Sequence, residues 1–399
     1  MPESDRPRTP TTPPGPASGR SRRPRVLFVG PLPPPMGGVG LMIEMLVNSS
    51  LARDHELRVV NISKGVLRCA TEKRTWRTIP YFIRDTAAML GALVAFRPDV
   101  VIVHASATVS FLRDWVFMAM ARLCGRRVIC HYHGTCHRHF PSPHTRFGRT
   151  AGRLLMGAAH RVIALGPTYR DTFARAWRRD DIVWAPNVTD VGLYREAAAS
   201  AAPTPWLAPG ERGLLFVGRL SRPKGIWDLF DGIPAVLARH PEARFLLCGV
   251  AETEAQEPVL RAEVARRGYA ERVTFLGSLH GLEKARVWVS ASVFVSPSQA
   301  EAFPLVIPET MAAGVPMVVT AVGAIPDFVK DGEDGFLVPP RDPAALAAAV
   351  NRLLDDEPLR RRMAAHVLQR AREEFDVEVC AARVRETIAS LLPPGRGAR

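Results

Sequence analysis

Along most of the chain, short uninterrupted apolar runs alternate with longer segments in which apolar residues recur every three or four positions. RVLFVG (25–30), LRVVNI (57–62), DVVIVH (99–104), RVICHYH (127–133), RVIAL (161–165) and DIVWAP (181–186) form one series of such runs. Runs of this length that are apolar on successive residues predict strands buried on both faces, as in a parallel sheet. Segments between them, such as 109–124 and 144–159, have the length and periodicity of helices. A second series follows: GLLFVG (213–218), ARFLLCG (243–249), RVTFLG (272–277), SVFVSP (292–297) and PMVVT (316–320). Alternation of this kind predicts two doubly wound α/β units, whose ligands bind beyond the carboxyl ends of the strands. Two facing units place a ligand in the cleft between them. Residues 357–374 and 377–392 read as terminal helices, followed by a frayed end.

The boundaries come from composition. A chain of 399 residues is longer than one hydrophobic core usually organises. Residues 197–210, rich in Ala and Pro, read as an interdomain linker. Residues 1–24 are rich in Pro, Arg and Thr and lack an apolar segment, which predicts a disordered basic tail and not a signal peptide. No apolar stretch approaches the ~20 residues of a membrane span. Six cysteines at 69, 124, 130, 136, 248 and 380 form no regular framework, so reduced thiols are expected. The basic excess is confined to the first half: residues 1–200 hold 29 Lys and Arg against 14 Asp and Glu, whereas residues 201–399 hold 24 against 25. A basic first half suits anionic partners such as phospholipid headgroups, lipid-linked phosphates or nucleic acid; a generic Arg-rich surface is the plain alternative.

The most informative stretch is SPSQAEAFPLVIPETMAAGVP (296–316). A strand ends near Pro297, Glu301 follows in a loop, and Pro304 is suited to open a helix, where its missing N–H costs nothing. The backbone N–H groups of Ala302, Phe303 and Leu305 are then free to meet a phosphate in the cleft. Glu301 and Glu309 flank that position. Carboxylates beside an anion site suit the hydroxyls of a nucleotide sugar, although acidic residues also favour helix N-termini for structural reasons alone. In FVGRLSRPKG (216–225), a strand ending at Val217 leads to Arg219 and Lys224, with a helix starting near Lys224. Two fixed cations there can meet the charge that grows on a departing diphosphate. Solvated surface charges are the alternative.

Two further stretches carry weaker signals. In MGGVG (36–40), Gly37 and Gly38 allow close backbone approach to a ligand, but the spacing lacks the full dinucleotide fingerprint. In CHYHGTCHRHF (130–140), His131 and His133 share a strand face, while Cys130 and Cys136 stand six apart without a second pair. That spacing does not make a zinc site. His131 reads as a core histidine, and His133, before Gly134, as a contact for a sugar hydroxyl.

Together these residues resemble a known family. EAFPLVIPETMAAGVPMVVT (301–320) looks like the donor-site signature of retaining glycosyltransferases of the GT-B fold, the group called family 4 or glycosyl transferases group 1. AVGAIPDFVKDGEDGFLVPPRDPAALA (321–347) continues it, GRLSRPKG resembles the family's phosphate-binding turn, and MGGVG and His133-Gly134 match its N-terminal loop and histidine. The resemblance covers roughly residues 25–390 and is strongest in the second half.

The resemblance implies an α/β GT-B fold of two facing Rossmann-like domains with a ligand cleft between them. Residues 25–200 would form the acceptor-side domain and 201–376 the donor-binding domain. The helix at 377–392 would cross back to the first domain. Glu301 would contact the donor sugar, Glu309 the ribose hydroxyls, and Arg219 and Lys224 the diphosphate. His133 would face the transferred sugar, and Gly37 and Gly38 would lie near the phosphates or the acceptor. The implied reaction is retaining transfer, of hexosyltransferase type, from a nucleotide diphosphate sugar to a glycan or lipid-linked acceptor. It needs no metal or other cofactor. The implied setting is cytoplasmic, at the inner face of the cell membrane, in polysaccharide or glycolipid assembly.

Two features depart from the pattern. Pro308 would fall one turn inside the helix carrying Glu309 and kink it, and the loop PLPPPMGGVG (31–40) is unusually rich in proline. Two other readings remain: a nucleotide-sugar epimerase of the same fold, for which no acid/base pair is evident, and a non-enzymatic binder of nucleic acid or anions. Nucleic acid is not expected, because no nucleic-acid motif or aromatic stacking pattern is present.

Overall fold

The computed structural model describes residues 22–34, 37–63, 79–105, 110–134, 142–200, 205–253 and 255–393. Strands β1 (Arg25–Gly30), β2 (Glu56–Asn61), β3 (Val100–Ala105), β4 (Arg127–Tyr132), β5 (Arg161–Ala164) and β6 (Ile182–Trp184) form one six-stranded parallel sheet in the order β2-β1-β3-β4-β5-β6. Strands β7 (Arg212–Val217), β8 (Ala243–Cys248), β9 (Val273–Gly277), β10 (Ala291–Ser296), β11 (Met317–Thr320) and β12 (Gly335–Val338) form a second, in the order β12-β11-β10-β7-β8-β9. Each unit is α/β and doubly wound, and together they make a GT-B architecture.

The first sheet is served by α1 (Gly38–Val47), α2 (Leu51–Asp54), α3 (Ile79–Ala95), α4 (Ser110–Leu123), α5 (Arg146–Met156), α6 (Pro167–Trp177) and α7 (Val191–Ala199). The second is served by α8 (Ile226–Leu237), α9 (Gln256–Arg266), α10 (Gly281–Ser290), α11 (Val306–Ala312), α12 (Ile325–Phe328), α13 (Pro343–Asp355) and α14 (Glu357–Arg370). α15 (Val377–Ala389) follows a π-helical turn at Ala371–Phe375. Alternate strand residues feed opposite faces. Leu27, Val29, Val101, Val103 and Val128 pack under α3, α4 and α6, whereas Val26, Phe28, Val100, Ile102 and Ile129 pack under α1, α2 and α15. Both faces of the inner strands are covered, which is why β1, β3 and β4 run apolar on successive residues and do not alternate.

α15 therefore belongs to the first sheet's core although it follows the second sheet in sequence. Cys380, Ala381, Val384 and Ile388 are buried there, and Arg385 pairs with Asp54 at 2.8 Å. The crossing is pinned by Thr189 N–H to Phe375 O and Val377 N–H to Thr189 O, each 3.0 Å. Asp376 caps α15 through its carboxylate, as Asp342 and Asp356 cap α13 and α14.

All eleven expected strands are present, with ends shifted by one or two residues; β12 was not anticipated. It is four residues long, too short to stand out from the loop around Asp334-Gly335. α1 begins at Gly38, so Gly38 and Gly40 are helical and only Gly37 of the described part of that stretch precedes the helix as its cap. α7 runs to Ala199, into the stretch read as a linker. Arg22–Pro24, assigned to a disordered tail, are docked: Arg22 pairs with Asp99 at 3.0 Å, and Glu56 N–H donates to Pro24 O at 2.9 Å. Composition marked them as polar, but sheet pairing continues one step before β1. Residues 1–21 and 394–399 lie outside the described residues. Cys124, Cys130, Cys248 and Cys380 are free thiols, and no described helix is long and apolar enough to cross a membrane.

Gly225 shows how tightly β7 and β10 are joined at their ends. Its φ is +74°, and a Cβ there would lie 1.9 Å from Pro297 O. Gly225→Ala is expected to cost about 3 kcal/mol, from a disfavoured backbone conformation and a collision with backbone. Gly91→Ala, mid-helix in α3 with open space around the position, should instead gain about 0.5–1 kcal/mol. Urea unfolding of both variants checks this, and equal effects would contradict the geometry.

Candidate active site

The order of the second sheet reverses between β7 and β10: from β7 the chain moves outward through β8 and β9, then returns to β10 on the other side. Crossovers leave these two neighbours in opposite directions, opening a crevice at their carboxyl ends. The segments entering it are Gly218–Gly225 after β7 and Pro297–Leu305 after β10. They are tied by Gln299 N–H to Pro223 O (2.9 Å) and Gln299 Nε2 to Asp228 Oδ2 (3.2 Å).

Lys224 ends a short 3₁₀ turn, Arg222–Lys224, and its ammonium pairs with Glu301 Oε1. Ser298 Oγ donates to the same oxygen at 2.9 Å. The Glu301 side chain is 10% exposed, enough for contact from the crevice. Its loop is held from beneath by Thr320 Oγ1, which donates to Ser298 O, and by Ala324 N–H, which donates to Ala302 O at 2.8 Å. Gly323, with φ +62°, passes so close that a Cβ would lie 1.9 Å from Glu301 O.

Glu309 is only 7% exposed and takes a different cation. Lys284 of α10 donates to its Oε1 at 2.6 Å, and its Oε2 is buried without a partner. Of the four charged residues expected at this site, Glu301 and Lys224 pair with one another, whereas Glu309 pairs with Lys284. Arg219 follows β7 as expected but is exposed and makes no ion pair among the described residues. α11 opens at Val306, not Pro304. Pro304 instead precedes the cap residue Leu305, and its carbonyl accepts from Ile307 N–H at 3.2 Å. Pro308 then sits in the first turn, where an N–H has no intrahelical acceptor, so the expected kink does not arise. Glu309 N–H makes the first regular bond, to Leu305 O at 3.1 Å. Among the described residues, the N–H groups of Ala302, Phe303 and Leu305 have no acceptor. They belong to the loop before a seven-residue helix, so a helix dipole contributes little. The Phe303 side chain points away into an aromatic cluster with Phe328 and Phe375.

The first domain reaches this crevice. Gly37 caps α1 without a side chain, and a Cβ on Gly38 would stand 3.5 Å from Leu305 Cδ1. Tyr169 OH lies 3.4 Å from both Glu301 O and Ala302 O, Asn187 Nδ2 donates to Phe303 O, and Thr168 N–H donates to Asp327 at 3.1 Å. His133 follows β4, at the carboxyl edge of the first sheet, with Nε2 3.0 Å from His104 Nδ1 of β3. Burial lowers its pKa to about 4, so the imidazole is neutral at pH 7. His131 is fully buried, as a core histidine should be, but it touches His104 and His133 and neither ring nitrogen has a partner.

Comparisons with known proteins place the family and the fold. Residues 36–193 match the family model described as Glycosyltransferase Family 4, and residues 211–356 match that described as Glycosyl transferases group 1. The chain belongs to glycosyltransferase family 4. A phosphatidyl-myo-inositol mannosyltransferase of Mycobacterium leprae (strain TN) is 34% identical over 226 residues, covering 54% of this chain and 58% of that protein. A D-inositol 3-phosphate glycosyltransferase of Corynebacterium diphtheriae is 37% identical over 161 residues, 40% of this chain and 38% of that one. The chain spans about half the length of the curated relatives it matches. Among solved structures, the sucrose-phosphate synthase of Thermosynechococcus elongatus superposes with TM-score 0.74 at 22% identity, over 92% of this chain and 99% of that one. Anabaena Alr3699/HepE in complex with UDP superposes with TM-score 0.69 at 20% identity, over 92% and 100%. These likenesses share the GT-B fold.

For a family 4 chain, the sequence reading missed Lys284, Ser298, Gly323 and His104. Lys284 on a helix carries no signal distinguishing it from a solvated charge. Gly323 lies in the 321–347 continuation and could have been found as a glycine needed for close approach. Lys284→Met leaves the Glu309 carboxylate buried without its cation and should cost about 3 kcal/mol. Adding Glu309→Gln should recover more than half of that loss. Urea unfolding of the two single variants and the double variant measures the coupling, and additive losses would show that the pair is not a unit.

Proposed function

We propose that the protein is a retaining glycosyltransferase that takes a sugar from a nucleotide diphosphate donor bound in the crevice between β7 and β10. The observation that carries this reading is the Glu309 carboxylate. One oxygen is fixed by Lys284, and the other is buried without a donor. A buried acceptor left open costs about 1–3 kcal/mol, which a ligand hydroxyl would return. A ribose diol fits that requirement. Glu301, held by Lys224 and Ser298, has a second oxygen for a hydroxyl of the transferred sugar. Lys224 has three N–H donors and can keep Glu301 while meeting a phosphate oxygen. Exposed Arg219 is placed to add a second cation as the diphosphate leaves, and the loop N–H groups of Ala302, Phe303 and Leu305 add neutral donors.

Retention follows from placing the acceptor on the side from which the diphosphate departs, so that a phosphate oxygen takes the acceptor's proton. The first domain supplies that side through Gly37, Gly38 and His133, whose neutral ring can donate to or accept from a sugar hydroxyl. No metal is needed for the transfer, because lysine and arginine meet the leaving charge. The matches to inositol-directed transferases support a polar, phosphate-bearing or lipid-linked acceptor.

The exterior of the first domain supports a membrane-borne acceptor in polysaccharide or glycolipid assembly. Ile79, Ile83, Leu90 and Val94 form one exposed stripe along α3, each at least 50% exposed. On α5, Phe147 and Leu154 are each 74% exposed, beside Arg146 and Arg153. α3 and α5 cover the same face of the sheet, in the half of the chain that carries the basic excess. Apolar residues among arginines suit the surface of an anionic bilayer on the cytoplasmic side.

A thermal-shift panel of uridine, guanosine and adenosine diphosphate sugars should identify one donor class that stabilises the protein, by about 2.7 kcal/mol at 100-fold over its dissociation constant. With that donor, Glu301→Ala should lower kcat/KM at least ~100-fold with the fold intact, and Glu309→Gln should raise the donor KM roughly tenfold with a smaller change in kcat. Full activity of Glu301→Ala, or no response to any donor, would overturn the assignment. Sedimentation with anionic but not neutral vesicles should be lost in Ile83→Asp/Val94→Asp; binding unchanged by that pair would remove the membrane face.

A further inference from the structure

We propose that His104, His131 and His133 form a binding site for a late first-row divalent cation of the Zn²⁺ class. The pairing of β3 with β4 sets His104 directly opposite His131. In register, two imidazoles stand side by side on one face of the sheet. His133 comes two residues later and returns to that face, and its N–H extends the pairing to Ala105 O at 2.9 Å. The ring centroids are 4.9 Å apart for His104 and His131, 4.4 Å for His131 and His133, and 5.2 Å for His104 and His133. One ring nitrogen from each residue can be chosen so that all three lie within 4.8 Å of one another. Metal–nitrogen bonds of about 2.0–2.1 Å in a tetrahedral site hold such atoms about 3.3 Å apart, so binding would draw the ring nitrogens together by up to about 1.5 Å.

The second observation is independent of that geometry. His131 is fully buried with neither ring nitrogen hydrogen bonded, and His104, 2% exposed, leaves Nε2 without a partner. The three rings share one hydrogen bond, between His104 and His133. A core histidine kept for packing would satisfy its ring through neighbouring backbone; an apolar side chain would fill the same space without open donors and acceptors. Lone pairs converging from three rings are instead what a cation requires. The donor set chooses the ion: Mg²⁺ and Ca²⁺ take oxygen, whereas three imidazoles suit Zn²⁺, Co²⁺, Ni²⁺ or Cu²⁺. His133 is the least buried of the three, so a fourth ligand, water or an anionic oxygen, would enter from its side. An imidazole that ligates through one nitrogen still presents the other, so the ion orients His133 and does not remove it from the cleft. Sequence spacing hid the set because His104 comes 27 positions before His131, on a different strand.

The test uses the full untagged chain, stripped with a chelator, then titrated with Zn²⁺ by calorimetry and with Co²⁺ by visible absorption. We expect one equivalent of each ion, intense d–d bands of a four-coordinate cobalt centre, and a raised Tm. His104→Gln and His131→Gln should each weaken binding by roughly 100-fold or more, while Cys136→Ser and the remote His366→Gln leave it unchanged. Circular dichroism confirms that each variant is folded. If either trio variant unfolds, retention of the cobalt bands by His133→Gln overturns the proposal and their loss supports it. Absence of stoichiometric binding, six-coordinate cobalt spectra, or binding lost with Cys136→Ser but kept in His104→Gln would each overturn it.

Discussion

The ion pair of Lys224 with Glu301 sits where two neighbouring parallel strands send their chains in opposite directions, and the rest of the second domain's site depends on it. A parallel sheet directs every strand's carboxyl end to one edge, but helices from adjacent strands usually fill the space above that edge. Only where the order reverses does room remain for a ligand. There the chain must bring two loops together with no strand between them. It does so with glycines at positive φ, Gly225 against Pro297 and Gly323 against Glu301, and with hydrogen bonds from Thr320 and Gln299. The carboxylate and ammonium are therefore positioned by backbone fit before any ligand arrives. Pre-positioning of this kind spares a catalytic site the reorganisation that water would require.

The second constraint is the seam between the domains. Tyr169, Asn187 and Thr168 from the first domain bond to the backbone or side chains of the loops following β10 and β11. Phe303, Phe328 and Phe375 cluster against Trp184, with the Phe303 and Phe328 rings 4.3 Å apart. The same loop that presents Glu301 thus anchors the seam through Phe303. α15 closes the circuit by returning to the first sheet, where Arg385 and Glu378 tie it to α2 and its cap. The seam and the site share residues, so a relative shift of the two sheets would be felt at Glu301. This coupling gives a physical route by which a ligand held at one domain can be felt at the other.

Particular elements show where sequence reasoning succeeded. β1, β3, β7 and β10 were legible because each is buried on both faces and so carries apolar residues on successive positions. Glu301 and Lys224 were each legible as strand-end residues, because each follows its strand by a few positions and strand ends in such sheets face ligands, but their ion pair with one another was not. Pro308 was misjudged through a two-residue shift: moving the helix start from Pro304 to Val306 turns a helix breaker into a first-turn residue. β12 was missed because four residues give too little pattern, and Arg22–Pro24 because their contacts are to Asp99 and Glu56, far along the chain.

Local composition and periodicity by themselves determined the α/β class, the two units and the strand ends that carry Glu301, Lys224 and His133, because burial of a strand or helix face is written in its own residues. Only the tertiary structure decided which charges meet. Glu309 takes Lys284, 25 positions away, and His104 joins His131 across a strand pair. Such partners are chosen by strand order and register, which arise from the packing of whole sheets. No window of sequence contains that information, since the residues that meet share nothing but a place in the fold.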